Sequence, residues 1–172
     1  MTGPVPNPRR MLLPASAAVF AVVWVWVAVF GPDELAGHMG VDGEVTRWDS
    51  KWGLLTGLGL VAVLLVAVFG GVARLMPRVP ASAVNLPGRH RKEYWMRPAN
   101  RVDFDRMVAE DMAAIGAGTL LLMAWILAAL AVMGDDRIES WPLIVPVVIY
   151  LVAVLGHTVH ITVGPRYAIP GD

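Results

Sequence analysis

The sequence predicts an all-α integral membrane protein: a four-transmembrane-helix bundle with both termini on the inner side and a short hairpin-like loop on the outer one. Three observations carry this. Four stretches of about 20 residues are almost free of charge, the length a helix needs to cross a hydrocarbon layer. The 172-residue chain is 56% hydrophobic and only 16% charged, with a mean hydropathy of +0.59, too apolar for a surface wetted on all sides. The connections between the stretches differ in the sign of their charge.

The spans run from Met11 to Phe30, Gly53 to about Met76, Met112 to Met133 and Pro142 to about Val163, and all 172 residues are read as a single membrane domain. Arg74, the one formal charge within them, lies close enough to a helix end to snorkel to the boundary. Hydrocarbon offers no partner for backbone amides, so such stretches must satisfy them internally as helices. Span 1 follows Arg9 and Arg10 as a signal peptide would. Its apolar run is longer than a typical signal core and no A-x-A site follows, so it is read as a retained helix. With no cysteine, the chain has no disulfide, thiolate metal site or thiol nucleophile. Fourteen basic and fourteen acidic side chains cancel, leaving no overall field to attract nucleic acid.

Orientation follows from Lys and Arg near the span ends. The first connection, 31–52, has Arg47 and Lys51 against five acidic residues and should face outward. The second, 77–111, holds Arg78, Arg89, Arg91, Lys92, Arg97, Arg101 and Arg106 against five acidic residues and should stay in the cytoplasm with Arg9 and Arg10. The third, 134–141, carries Arg137 against three acidic residues and points outward again. Trp52 and Trp141 then fall at the outer boundary, where indole prefers to sit. Short connections make spans 1 and 2, and spans 3 and 4, antiparallel hairpins. Gly53 and Gly57 in GxxxG spacing offer span 2 a place for close backbone approach. Span 3 should begin before the membrane, with Asn100 capping a helix from about Arg101 to Met133, about 50 Å long at 1.5 Å per residue.

Within the outer connection, Asp42 and Gly43 suit the two centres of a type I′ turn, with Val41 and Glu44 flanking them. A hairpin there sets His38 and Met39 opposite Thr46 to Trp48. On chemistry alone this is a compact cap whose Trp48 dips into the interface. Pro32, His38, Gly40, Gly43, Trp48, Ser50 and Lys51 nevertheless resemble the signature of a family of bacterial membrane domains of unknown function. The second half of that signature is matched on the inner side by Asn85, Pro87, Tyr94, Trp95 and Pro98. The same domain forms the amino-terminal part of immunity proteins that protect a sporulating bacterium from its own sporulation-delaying toxin. Those proteins continue into further spans. In the family the inner motif is spaced more tightly than here, where Gly88 to Glu93 intervene. The resemblance covers about residues 11 to 133 and implies a multi-pass protein of the bacterial plasma membrane. It further implies that the outer loop meets a peptide toxin or envelope protein, while the inner loop docks a cytoplasmic partner.

The inner segment HRKEYWMRP sets cations beside a Tyr-Trp pair and suits the anionic inner leaflet, where each Lys or Arg is worth about 1 kcal/mol. His157 and His160 share a face near the inner end of span 4. Ionisable residues inside a membrane point to ion or proton passage, and with Glu110 or Asp111 the pair could bind a metal. The plainer reading is two neutral imidazoles bonded across the bundle, because no third ligand is fixed by spacing. Haem is disfavoured, as ligands three apart on one helix cannot reach opposite faces of a ring. No nucleophile, base and orienting group occur together, so neither an enzyme, a metal nor a cofactor is expected, and direct nucleic-acid binding is not expected either. The leading expectation is a binding or sensing protein of the immunity type. The alternative is a small ion-coupled transporter or accessory subunit using His157 and His160.

Overall fold

The computed structural model describes residues 8–40, 43–133 and 140–170. In chain order these form helix α1 (Pro8–Phe30), strands β1 (Glu34–Met39) and β2 (Val45–Ser50), then helices α2 (Lys51–Leu75), α3 (Arg89–Trp95), α4 (Pro98–Val132) and α5 (Trp141–Val163). Single 3₁₀ turns follow α2 and α5, and another lies between α2 and α3. The longest helices, α1, α2, α4 and α5, are long and apolar enough to cross a membrane.

Packing is organised around α4. Its largest packing surface is with α1, the next with α2, and a narrower one with α5. Leu13 and Pro14 at the start of α1 line the same groove as Arg101 to Ala113 in the first half of α4, so α1 and α4 run parallel and α2 runs antiparallel to both. The two sequence-adjacent hairpins therefore exist, but the main packing surface joins α1 to α4. Val27, Leu35, Leu55, Leu120 and Leu127 are fully buried in the shared core, where close van der Waals packing joins the helices. The Trp24 indole donates 2.8 Å to the Leu55 carbonyl, which it reaches because Gly59, one turn on, puts no side chain in its way.

Close approach occurs elsewhere than the GxxxG spacing suggests. A Cβ on Gly57 would meet nothing within 4 Å, and one on Gly53 only its own neighbour Ser50. It is Gly116 of α4 that takes the Phe69 ring of α2 against its backbone, where an added Cβ would come within 2.7 Å of the ring. The start of α4 also differs from expectation. Pro98 stands at the first helical position, where its missing N–H costs nothing. Asn100 lies inside the first turn and donates its amide to the Tyr94 carbonyl at 2.9 Å instead of capping.

The strands pair antiparallel, with Glu34 opposite Ser50, Leu35 opposite Asp49, Ala36 opposite Trp48, His38 opposite Arg47 and Met39 opposite Val45. Val41 and Asp42 lie outside the described residues, and with them the centre of the expected type I′ turn. The flanking bonds still define the closure: the Gly40 N–H donates to the Glu44 carbonyl at 2.8 Å, and the Gly43 N–H to the Gly40 carbonyl at 3.1 Å. Three residues therefore separate the last pair, and Gly43 takes the left-handed conformation at φ 83° that such a loop asks of its third residue.

Much of the molecule's side is apolar and uncovered. None of α5 is buried, and Leu60, Val63 and Leu64 of α2, like Ile149, Val152 and Leu155 of α5, are more than half exposed. This is consistent with a multi-pass membrane protein. Exposed Trp26, Trp52, Trp125 and Trp141 all lie toward the hairpin end of their helices, as an interfacial belt would require.

Replacing Gly116 by Val should destabilise the detergent-solubilised protein by about 1–3 kcal/mol through overpacking. Adding Phe69→Ala should restore part of that loss, giving a favourable coupling in a double-mutant unfolding cycle.

Candidate functional site

Polar chemistry gathers at the two ends of the bundle. At the hairpin end, Lys51 opens α2 and is buried. Its ammonium donates 2.9 Å to the Gly31 carbonyl at the exit of α1 and lies 3.4 Å from an Asp33 carboxylate oxygen. The backbone adds a 2.8 Å bond from the Lys51 N–H to the Asp33 carbonyl. A cation on an orphan carbonyl beyond a helix C-terminus satisfies an acceptor and complements the helix dipole. Pro32 and Ser50 lie at this base, and Gly40 and Gly43 close the tip.

His38 projects from the exposed face, its Nδ1 2.7 Å from the Thr46 hydroxyl. Arg47 beside it pairs with Asp49 at 2.9 Å. Asp49 rests on Gly37, where any Cβ would collide with the carboxylate. Trp48 is half-buried and packs against the main core with Met39 and Val45.

At the opposite end, Asp111 is 1% exposed. The Arg166 guanidinium lies 2.8 Å from one of its oxygens, and the Tyr167 hydroxyl donates 2.7 Å to the other. Arg166 also reaches Glu110 at 3.3 Å. Burial tends to lower the Arg166 pKa, but the hydrogen bond and charge of Asp111 outweigh it and the net direction is up. Burial first, then the bond to Asp111, pushes the Tyr167 phenol well above its ordinary value. Nearly two turns back along α4, Arg101 binds Asp105 at 2.7 Å and donates to the Met76 and Val79 carbonyls at 2.9 and 3.0 Å. It thereby stitches the exit of α2 to α4.

A second small core covers this clasp. Val84, Trp95, Phe104 and Tyr167 are buried together. The Trp95 indole donates 2.9 Å to the Tyr167 carbonyl, and Tyr94 meets Trp95 edge-on at 5.1 Å. Asn85 and Pro87 are exposed and line a cavity of about 340 Å³ with Asp111, Thr162 and Tyr167. On α3, the 2.8 Å bond from Arg89 holds Glu93 below the usual carboxylate range. The inner-motif residues are thus brought together with the clasp, and the outer-motif residues form the hairpin at the other end.

His157 Nε2 lies 3.7 Å from an Asp111 oxygen, too far to bond, and has no hydrogen-bond partner among the described residues. His160 is exposed. Among the described residues no three potential metal ligands converge. Tyr150 bonds Thr119 at 2.7 Å farther along the α4–α5 seam. The clasp partners Arg166 and Tyr167 went unnoticed in the sequence, and Arg101 was read only as one of the basic residues of the inner connection. Their only local signal was the helix-stopping Gly164-Pro165 followed at once by Arg and Tyr.

Comparison with protein families, with characterised proteins and with solved structures finds no match in any of the three. The chemistry of both ends therefore rests on the residues themselves.

Asp111→Asn should cost about 1–3 kcal/mol in unfolding experiments, because it removes the nearer of Arg166's two carboxylates and leaves the guanidinium on Glu110 alone. Since the Tyr167 pKa is raised on folding, its contribution is complete below about pH 10, the ordinary tyrosine value, and fades as pH rises further. The thermal midpoint should therefore fall above that pH, and Tyr167→Phe should flatten the dependence.

Proposed function

We propose that the chain is a four-span protein of a bacterial plasma membrane, with the acidic hairpin outside and the basic clasp end and both termini in the cytoplasm. It binds or senses an extracellular peptide or envelope protein through the hairpin, in the manner of the toxin-immunity domains its two motifs resemble. One observation carries this reading: the hairpin is bolted to the bundle by buried Lys51 and Leu35, yet it presents His38, Thr46 and Arg47 on its exposed face. A mere connection between helices needs no such anchoring, whereas a recognition surface gains affinity from being preorganised.

The charge division supports the sidedness, since Arg74, Arg78, Arg89, Arg91, Lys92 and Arg97 gather at the clasp end. Across the bundle, the Lys51 bolt and the core join the hairpin to α4, and the clasp joins α4 to α3 and the C-terminal turn. A partner met outside thus has a packed route to the Tyr94, Trp95 and Asn85 surface, where a cytoplasmic partner would dock.

His157, whose Nε2 has no hydrogen-bond partner among the described residues and lies 3.7 Å from buried Asp111, favours a second reading, a proton- or ion-coupled carrier. The two readings differ in what they lose. For a binding protein, a photocrosslinker at Thr46 captures an envelope partner, and His38→Gln or Arg47→Ala abolishes capture while His157→Gln leaves it intact. Capture unaffected by both hairpin changes, with His157→Gln dissipating uptake into vesicles, would establish the carrier instead. Sidedness is checked separately: Glu44→Cys should react with an impermeant maleimide in intact cells, and reaction only after lysis reverses the orientation.

A further inference from the structure

We propose that His157 is a proton-operated latch: with its imidazole charged it fastens α5 onto Asp111 of α4, and with the ring neutral it lets that end of α5 loosen. This stands apart from both functional readings above, since the proton need not cross the membrane and the hairpin takes no part. The starting point is an atom without a partner. His157 Nε2 is closed off from solvent and has no hydrogen-bond partner among the described residues, yet it lies 3.7 Å from an oxygen of Asp111. Asp111 is 1% exposed, and an ionised carboxylate can only accept. A ring nitrogen that offers its lone pair to that oxygen is repelled. One that carries a proton is drawn in, most strongly when the whole ring is charged, and a movement of about 1 Å closes the gap to a charge-assisted bond.

The charged groups around the ring come from three elements besides α5. From α4, Asp111 and Glu110 bring two carboxylates; from the turn beyond α5, Arg166 lies 2.8 Å from the first and 3.3 Å from the second, and the Tyr167 hydroxyl donates to Asp111. Arg91 of α3 donates to the Thr162 carbonyl at 3.0 Å. On α5 itself His160 is exposed. Arg166 and Tyr167 hold the turn, whereas His157 is on the helix. Its neighbours Thr158 and Thr162 donate back to the Val154 and Thr158 carbonyls of α5 itself, and the Tyr150 bond to Thr119 is two turns away. Since α5 has no buried residue, apolar burial does little to seat it, and one charged contact at this end weighs heavily. The site is reachable: the His157 side chain is 28% exposed, and the cavity of about 340 Å³ lined by Asn85 and Thr162 extends to Asp111. Histidine is also the side chain that ordinarily changes charge within the physiological pH range.

The test uses the full-length protein in lipid nanodiscs. The chain has no cysteine, so spin labels go on Val102→Cys of α4 and Leu155→Cys of α5, both well exposed. Their separation is measured by pulsed electron spin resonance on samples frozen from about pH 5.5 and about pH 8.5, on either side of the range in which histidine titrates. The distribution should be short and narrow at the lower pH and shift to longer, broader separations at the higher. His157→Gln keeps an N–H donor without the charge and should lose that response. Asp111→Asn, which keeps the shape of the carboxylate without its charge, should lose it too, and decides the matter if the histidine variant does not fold. A control pair, Val22→Cys on α1 with Leu121→Cys on α4, both exposed, should not respond to pH. Identical α4–α5 distributions at the two pH values, a full response surviving in either variant, or an equal response of the control pair overturns the latch. None of these outcomes touches capture at the hairpin or uptake into vesicles, which are read separately.

Discussion

Three carboxylates on one helix have to be neutralised before that helix can sit in the middle of anything. Asp105, Glu110 and Asp111 of α4 are buried, and an isolated buried carboxylate costs several kcal/mol. Arg101 answers the first from the same helix. The other two are answered from 55 residues or more away, by Arg166 and Tyr167, which brings the turn beyond α5 back onto α4. Trp95 then bonds the Tyr167 carbonyl, and α3 is held in place by the same knot. An arrangement that looks like a loose loop and tail in the sequence is thus forced into a second core by charge that cannot be left unmatched.

The same logic operates with opposite sign at the hairpin. There the buried charge is the Lys51 ammonium, and its partners are a carbonyl at the exit of α1 and the exposed Asp33 carboxylate. Carbonyls leaving a helix need donors, and a cation from the next helix supplies one while fixing how the two helices meet. Each end of the bundle is closed by a buried side chain from one element gripping the terminus or flank of another. The apolar middle, by contrast, is held by shape, as where Phe69 lies on Gly116.

How much of this was legible in the sequence depended on whether the signal was local. The four long helices were, because crossing hydrocarbon imposes a length and an absence of charge that can be read from composition alone. The hairpin was legible from its Asp-Gly pair, but the loop closes one residue longer, since Gly43 serves as a left-handed third residue after the Gly40 turn. Helix partners were not legible. Gly53 and Gly57 carried the familiar small-residue spacing and face open space, while Gly116, with no such spacing to announce it, makes the close contact. The cap assigned to Asn100 failed because Pro98, already fixed in φ, could open the helix two residues earlier. Of the candidate site, the hairpin residues and the position of His157 near Asp111 could be anticipated. Arg166 and Tyr167 could not, because a salt bridge across 55 residues leaves no periodicity behind.

The peripheral seating of α5 bears on how the protein is made. That helix contributes no buried residue and is joined to α4 mainly through a few polar stitches, Trp125 to Pro142, Tyr150 to Thr119, and the clasp itself. The trio of α1, α2 and α4 shares its apolar interior almost without α5, but the Asp111 carboxylate at the clasp end of α4 stays unanswered until Arg166 and Tyr167 arrive behind it. Biogenesis then resembles buttoning a coat: the garment already has its shape, and the last helix fastens along one seam, with the final button at Asp111.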